Sequence, residues 1–338
     1  MKFGTVPLAE AEGAILAHAL RLPGGKLRKG HLLDAADLAA LRAAGIAVVS
    51  VARPDPGDRL EGEAAEEVAR ALAEGAEGVR VGPPFTGRVN LLAEAPGLAL
   101  IDAARIHAAN AVDPMITVAT VAPFHQMHPG GMIATIKIIA YAVPGAAVAR
   151  AAEAGRGAVR LARPVLRRAS LIVTQVPGGP GEKGIEAIRA RLEAFEMTLA
   201  ETLGVPHREA PLADAIRRAR GDLILILTGS ATSDPHDVAP QALRRAGGRV
   251  ERFGMPVDPG NLLFLGALGE RPVIGLPNSA RSPVLHGADW VLGRVVCGLA
   301  PSAAEIGGWG VGGLLKEIPT RPQPRQRARP LSTPEKEA

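Results

Sequence analysis

The sequence predicts an α/β protein with a C-terminal three-layer α/β/α domain, in which helices cover both faces of a mostly parallel sheet. Strand-like apolar runs alternate with helical segments beyond residue 163, an order typical of parallel sheets. The run LILIL at 223–227 has no polar alternation, as expected for a strand buried on both faces. Three polar loops follow such runs, and ligands bind beyond the carboxyl ends of parallel strands.

The composition limits the classes of function. The chain has 338 residues, of which 47% are hydrophobic and 22% charged, so we expect two or three domains with buried cores. Aromatic residues make up only 3%, which disfavours base-stacking surfaces and a nucleic-acid partner. The net charge of +5 comes mostly from the C-terminal tail, through Arg321, Arg325, Arg327 and Arg329.

The cysteine count and the apolar runs indicate a cytoplasmic protein. The single cysteine, Cys297, excludes an intrachain disulfide and a thiolate zinc site. Glu10 and Glu12 stand where a signal peptide needs its apolar core. The longest apolar run, near 132–143, is interrupted by Lys137. We therefore expect no export signal and no membrane span.

Residues 1–55 are expected to form an α+β segment. The pattern of residues 6–20 predicts an amphipathic helix, followed by a Gly-rich turn. A second helix is predicted from Asp34 to Gly45, and IAVVSVA at 46–52 predicts a strand.

Residues 56–150 combine an acidic helix with a β-rich module. The helix is Ala-rich, and we interpret it as a solvated surface helix. Short apolar runs separated by turns predict the strands. His125 and His128 precede a Pro-Gly-Gly turn, but no third ligand lies nearby in the sequence, so an incidental role is favoured over a metal site.

Residues 163–318 are expected to form the C-terminal α/β domain. The predicted elements are a strand at 171–176, helices at 185–203 and 212–220, a strand at 223–227, a helix opening at Ala239 and Pro240, strands at 250–257, 262–268 and 272–277, and a helix at 284–299. The tail at 319–338 is rich in Pro and Arg and is expected to be disordered.

The loop after residues 223–227 is the first candidate site. Ser230, Thr232 and Ser233 offer hydroxyl groups, and the carboxylates of Asp234 and Asp237 follow just before a helix. Hydroxyl and backbone N–H groups can bind an anion, and a pair of carboxylates can hold Mg²⁺. Capping of the turn and the helix explains the carboxylates equally well, and both interpretations stay open.

The glycine-rich loop PGGPGEKG at 177–184 is the second candidate. A phosphate-binding loop requires Lys and then Ser or Thr directly after its last Gly, whereas Ile185 follows Gly184. A tight turn and a role in ligand binding are therefore equally favoured.

The loop NSARSP at 278–283 is the third candidate. Its Arg281 carries a fixed positive charge whose geometry suits a phosphate or pyrophosphate. A structural alternative is that Ser282 caps a helix with Pro283 in its first position.

Together these motifs resemble a known family. TGSATSDPHDVAPQAL at 228–243 is similar to the TGG-containing signature shared by molybdopterin adenylyltransferases and molybdopterin molybdotransferases, the gephyrin-like proteins. DPGN at 258–261 stands where the molybdotransferases carry a Lys-Pro-Gly-Lys-like turn, and GLPNSARSP at 275–283 stands where they carry Gly-Leu-Pro-Gly-Asn-Pro. The resemblance covers about 163–300 and, more weakly, the first 55 residues, and it is closest to bacterial molybdopterin-binding proteins that can be fused to a nucleotidyltransferase.

The resemblance implies a ligand and a set of site residues. The ligand would be molybdopterin, its adenylylated form or the finished molybdenum cofactor, with Mg²⁺ as cofactor. Asp237 would be the catalytic and metal-binding carboxylate, with Asp234 as a further metal ligand. The implied pterin-phosphate pocket is lined by Gly229, Ser230, Thr232, Ser233, Asp258, Gly260, Gly275, Pro277, Asn278, Ser279, Arg281 and Ser282.

Departures from the family pattern separate two hypotheses. Ser230 replaces the second Gly of the signature, Asn278-Ser279-Ala280 replaces Gly-Asn-Pro, and Asp258 and Asn261 replace two turn lysines. The loss of two cations weakens neutralisation of phosphate or molybdate and favours a carrier that hands the cofactor to a partner enzyme. The retained Asp237 favours a Mg²⁺-dependent molybdenum or adenylyl transferase. Both hypotheses imply molybdenum cofactor biosynthesis, a nucleotidyltransferase or molybdoenzyme partner, and a homo-oligomer.

Overall fold

The computed structural model describes residues 1–315, which divide into two compact units. The first unit comprises residues 1–168, 190–198 and 292–300, and the second comprises 169–189, 199–291 and the described residues from 301 onward. The predicted disordered tail at 319–338 lies outside the described residues. No helix within residues 1–315 is long and apolar enough to span a bilayer.

The first unit begins with a small α+β module. Its elements are β1 (Lys2–Pro7), β2 (Ile15–Leu16), β3 (Leu20–Leu22), β4 (Gly25–Leu27), α1 (Ala35–Ala43) and β5 (Val48–Arg53). β5 lies between β1 and β2, and β3 pairs with β4 as a separate hairpin. A capping box between Asp34 and Asp37 starts α1, and Leu38 and Leu41 pack into the module's core. The predictions of α1 and β5 are confirmed.

The helix predicted over residues 6–20 is wrong. The segment forms the end of β1, a 3-10 turn at Leu8–Glu10, β2 and the start of β3. Several of its amides donate to carbonyl groups far along the chain, as in Leu8 N to Ala47 O at 2.9 Å, so no continuous helical ladder forms. Gly13 has φ +69° and turns the chain within the segment. The apolar residues of this segment therefore reach the core from a series of turns and short strands, and not from one face of a helix.

The rest of the first unit packs helices against short antiparallel strands. Its elements are β6 (Asp58–Leu60), α2 (Glu61–Leu72), β7 (Val79–Val81), β8 (Arg88–Ala93), β9 (Gly97–Ile101), α3 (Ala103–Asn110), β10 (Ile116–Thr120), β11 (Gln126–Met127), β12 (Met132–Ile138), β13 (Ala142–Pro144), α4 (Gly145–Gly155) and β14 (Val159–Ala162). The sheets have the orders β10-β12-β8-β7, β11-β9-β14 and β13-β6. α2 buries Ala65, Val68 and Leu72 in this core, so its interpretation as a solvated helix is wrong for one face.

The C-terminal elements form an α/β fold, as predicted. They are β15 (Arg168–Gln175), α5 (Ile185–Glu193), β16 (Thr198–Pro206), α6 (Glu209–Arg218), β17 (Leu223–Leu227), α7 (Val238–Arg245), β18 (Arg249–Phe253), β19 (Phe264–Leu268), β20 (Arg271–Leu276), α8 (Gly287–Val296) and α9 (Ala303–Gly307). Six strands form one sheet in the order β16-β15-β17-β20-β19-β18. β15, β17 and β20 run parallel, whereas β19 is antiparallel to both β20 and β18, so the sheet is mixed.

The centre of this sheet is buried on both faces. All five residues of β17 are fully buried. Ile224 and Ile226 pack with α6 and α7 in one core cluster, and the alternating Leu223, Leu225 and Leu227 point to the opposite face. The predicted strand at 223–227 is confirmed. Its uninterrupted apolar run matches its position, because side chains on both faces of the strand are buried.

Residues 185–203 do not form one helix as predicted. α5 ends at Glu193, and residues 198–206 form the edge strand β16. Glu196 has φ +56°, a left-handed conformation that ends the helical segment. The burial of β16 then alternates, with Leu199, Glu201 and Leu203 more covered than their neighbours, which is the period of a strand.

Candidate functional site

Four loops of the second unit leave the six-stranded sheet at the same edge. Because β15, β17 and β20 are parallel, the loops after Gln175, Leu227 and Leu276 share that edge. Phe264 at the start of β19 lies opposite Gly275, and Phe253 at the end of β18 lies opposite Phe264. The connection at 254–263 therefore reaches the same edge. All residues of the predicted site lie in or next to these loops.

Arg281 holds three of the loops together. Its Nη1 donates to the carbonyl oxygens of Gly181 (3.2 Å) and Lys183 (2.5 Å), and its Nη2 donates to that of Thr228 (2.8 Å). A Cβ at Gly184 would lie 2.6 Å from Arg281 Cα, so the glycine permits this close approach. Burial lowers the pKa of the Arg281 guanidinium, but an arginine remains protonated at neutral pH.

The role of Arg281 thus differs from the simplest expectation of a phosphate ligand. Three of its N–H groups are directed to backbone carbonyl groups. Its buried Nε has no hydrogen-bond partner among residues 1–315. The charge of Arg281 contributes to the potential at the sheet edge, while most of its donors serve the architecture of the loops.

Gly229 is held against β15. Its N–H donates to Thr174 Oγ1 at 2.8 Å, and that oxygen lies 2.8 Å from His207 Nδ1. A Cβ at residue 229 would lie 2.7 Å from the Thr174 carbonyl oxygen, so a larger residue requires backbone movement. Thr174 and His207 were not among the residues predicted for this site. Each is a polar residue at the end of a strand, and only the tertiary structure brings the two together.

Both carboxylates of the loop accept backbone N–H groups. Asp237 is the N-cap of α7: Oδ1 accepts from Val238 N at 2.6 Å, and Oδ2 accepts from Ser233 N at 3.0 Å. Asp234 Oδ1 accepts from His236 N at 2.7 Å. Capping is therefore present at both positions, and each carboxylate oxygen keeps further lone pairs that can bind a cation.

The hydroxyl groups of this loop have different environments. Ser230 and Ser233 are exposed. Thr232 is buried, and its Oγ1 lies 3.5 Å from Thr228 Oγ1. Ser230 and Ser233 are accessible to a ligand, whereas Thr232 packs inside the loop.

The loop after β20 begins with a 3-10 turn, Asn278–Arg281. Asn278 is exposed and Pro277 is buried. Ser279 Oγ is buried and has no hydrogen-bond partner within the described residues. Pro283 does not start a helix as predicted, because Ser282 is extended (φ −95°, ψ 147°) and α8 begins only at Gly287.

The DPGN turn is fixed by backbone contacts. Asp258 N donates to Gly313 O at 2.8 Å, and Gly287 N donates to Pro259 O at 2.8 Å. A Cβ at Gly260 would lie 2.7 Å from Gly287 N. The Asp258 side chain is exposed, so the turn presents a carboxylate at this edge of the sheet.

No group of three or more His, Cys, Asp or Glu side chains within residues 1–315 is arranged to hold a metal ion. This applies to the loop carboxylates and to the turn with His125 and His128. A divalent cation at Asp234 and Asp237 would therefore depend on oxygen atoms from a ligand or from water, as is common for Mg²⁺.

Comparisons with known proteins show only distant likenesses. A model for a domain of unknown function, DUF8806, matches residues 5–53. No curated protein matches the chain. Among solved structures, the molybdopterin biosynthesis protein MoeA from Pyrococcus horikosii has 14% identity and a TM-score of 0.27, covering 88% of this chain and 74% of that one.

A molybdenum cofactor biosynthesis protein from Pyrococcus furiosus has 14% identity and a TM-score of 0.20, covering 81% of this chain and 56% of that one. Likenesses at this level do not establish a function. The fold and the loops themselves define an α/β protein with four loops gathered at one sheet edge.

Proposed function

We propose that this chain binds a pterin phosphate, molybdopterin or its adenylylated form, at the loop edge of the second unit and serves molybdenum cofactor biosynthesis. One observation carries the proposal: the loops with the family-like motifs at 228–237, 258–261 and 275–283 are distant in sequence but leave the sheet at one edge. Ligands of open α/β sheets bind at this edge.

The loop after β17 supplies the anion-binding groups in this proposal. Ser230 and Ser233 are exposed hydroxyl donors, and the amino-terminal end of α7 favours negative charge. Gly229 sets the path of the loop against β15. Asp237 and Asp234 would hold Mg²⁺, whose charge would help to neutralise the ligand's phosphate, because Mg²⁺ sites commonly use one or two carboxylates.

The geometry supports binding and transfer to a partner better than group transfer by the chain itself. Arg281 directs three N–H groups to carbonyl oxygens, and the turn offers Asp258 and Asn261 in place of two lysines. The turn at 258–261 therefore supplies no cation, and Arg281 only part of its donors, to stabilise charge that develops on a reacting phosphate or molybdate. A homo-oligomeric state and a nucleotidyltransferase or molybdoenzyme partner belong to the same proposal.

The test is a titration of the full chain with molybdopterin, in which binding is measured through the fluorescence of the pterin. Gly229→Ala moves the loop away from Thr174 and is expected to weaken binding about tenfold or more. Gly308→Ala is the matched control, since a Cβ there meets no atom within 4 Å. Absence of pterin binding by the unmodified chain contradicts the proposal.

A second assay separates a carrier from a transferase. The chain is incubated with molybdopterin, ATP and Mg²⁺, and with adenylylated molybdopterin and molybdate. A carrier binds the pterin but gives no turnover. Turnover that is lost in Asp237→Asn supports the transferase; the amide oxygen of Asn can still accept from Val238 N as an N-cap, whereas the oxygen that accepts from Ser233 N is replaced by an NH₂ group.

A further inference from the structure

We propose that the first unit carries a separate site for a nucleoside polyphosphate. The site is a cavity of about 550 Å³. Its wall includes Lys26, Arg28, Lys29, Glu61, Lys137 and Tyr141. All of these residues belong to the first unit, so the proposal does not depend on pterin binding at the sheet edge of the second unit.

The charge of the wall is strongly positive. Four of the residues above are cationic, and Glu61 is the single carboxylate among the described residues that line the cavity. Glu61 Oε2 lies 3.9 Å from Lys137 Nζ, which also donates to the Thr86 carbonyl oxygen at 2.5 Å. Within residues 1–315, neither Lys26 nor Arg28 forms an ion pair. A small polyanion would neutralise the excess positive charge.

The β3–β4 hairpin carries an electrostatic cost that no ion pair of Arg21 or Lys26 within residues 1–315 offsets. Arg21 on β3 lies directly opposite Lys26 on β4, and like charges at such positions destabilise a strand pair. No Asp or Glu occurs between Glu12 and Asp34. The hairpin therefore concentrates positive charge beside the cavity without a local carboxylate, an arrangement that favours a bound anion.

Ile139 and Tyr141 give the cavity wall a part that suits a planar organic group. Ile139 lines the cavity and is 58% exposed, although it is a large apolar residue. The Tyr141 hydroxyl donates to Ala17 O at 2.7 Å, and Lys29 Nζ lies 5.4 Å from the centroid of the Tyr141 ring. The ring is thus anchored between apolar and cationic groups. The volume is within the range of small-molecule sites, about 300–1,000 Å³.

These features together indicate the chemical class of the ligand. Four cations and one carboxylate leave the wall with three net positive charges, which match a triphosphate better than a single phosphate. Ile139 and Tyr141 provide contacts for a base. A nucleoside triphosphate offers phosphates for the cations and a base for Ile139 and Tyr141, whereas a nucleoside alone offers only the base.

The proposal is tested by calorimetric titration of the full chain with ATP, tripolyphosphate and adenosine. We expect ATP to bind most tightly, tripolyphosphate to bind more weakly and adenosine not to bind measurably. Affinity for ATP is expected to fall when the salt concentration rises from about 50 to about 300 mM, because salt screens the exposed lysines and arginine. If neither ATP nor tripolyphosphate binds, the proposal is wrong.

Charge variants locate the bound anion. Lys26→Gln combined with Arg28→Gln is expected to weaken ATP binding about tenfold or more. Lys2→Gln combined with Arg80→Gln removes the same two residue types from exposed positions outside the cavity and is expected to change the affinity less than about twofold. Equal weakening in the two double variants would mean nonspecific attraction and would overturn the proposal.

Glu61→Gln provides a test with the opposite sign. The substitution keeps the shape of the side chain and removes the carboxylate from the wall, so ATP binding is expected to tighten by about threefold or more. Circular dichroism checks that each variant is folded. Unchanged or weaker binding in a folded Glu61→Gln protein contradicts an anion at this position.

Discussion

Arg281 Nη2 donates a hydrogen bond to the carbonyl oxygen of Thr228 at 2.8 Å. The bond joins the loop after β20 to the end of β17, and Nη1 of the same side chain reaches Lys183 O in the loop after β15. A guanidinium offers several donors in a rigid planar fork. One side chain thereby sets the spacing of three loops at the proposed pterin site.

Arg281→Lys is expected to lower the free energy of unfolding by about 2 kcal/mol, because an ammonium group cannot reproduce the fork and leaves carbonyl groups without donors. Urea unfolding measures the change. Arg245→Lys, at an exposed position near the end of α7, is the matched control and is expected to stay within about 0.5 kcal/mol of the original chain. Full stability of Arg281→Lys would show that charge alone suffices.

Gly275→Ala is expected to destabilise the sheet by about 1–3 kcal/mol. A Cβ at this position would lie 1.9 Å from Phe264 Cε1 on the neighbouring strand β19. Combining it with Phe264→Leu is expected to cost less than the sum of the two single changes, since the smaller side chain relieves the clash. Urea unfolding of the four proteins checks this, and strict additivity would contradict it.

Glu201→Gln is expected to reduce the acid sensitivity of the chain. The Ser170 hydroxyl donates to Glu201 Oε1 at 2.6 Å, and this bond, reinforced by Arg220 N at 2.7 Å, holds the pKa of Glu201 below its ordinary value despite burial. A depressed folded pKa stabilises the protein above the unfolded pKa, and this contribution is lost as the pH falls through the folded pKa.

The measurement is the unfolding free energy of both proteins from about pH 6 down to about pH 3. The stability advantage of the original chain over Glu201→Gln is expected to shrink as the pH falls. Glu270→Gln, at an exposed position, is the control, and its unfolding free energy should change with pH as that of the original chain does. A constant difference between Glu201→Gln and the original chain would show that the carboxylate is not favoured in the folded state.

Cys297 is expected to resist thiol reagents in the folded chain. The residue is 5% exposed, and burial raises the pKa of its thiol to about 11. At pH 8 only roughly one thiol in a thousand is then ionised, and the thiolate is the reactive form. Labelling should be slow in the native protein and fast in denaturant, and because Cys297 is the only cysteine, the signal needs no assignment. Rapid native labelling at pH 8 would contradict this burial.

Local signals in the sequence predicted the elements that depend on local chemistry. The helix predicted to begin at Asp34 is present as α1, with Asp34 as its N-cap, and the uniformly apolar run of β17 is a strand covered on both faces. The same signals failed at residues 6–20 and 198–203, which were predicted to be helical. Amides at 6–20 bond to distant carbonyl groups, and β16 lies at the sheet edge beside β15; neither choice is encoded in local periodicity.

The sequence by itself determined the α/β class and which loops carry polar groups, because burial and capping preferences act over a few residues. Only the tertiary structure decided what those groups contact. Arg281 looks like a free cation in the sequence, yet its donors meet Lys183 and Thr228. Lys26 and Lys137 are far apart in the chain, yet they line one cavity. Such contacts depend on the order of the strands in the sheets and on where the chain reverses, because these bring together residues that are far apart in the sequence.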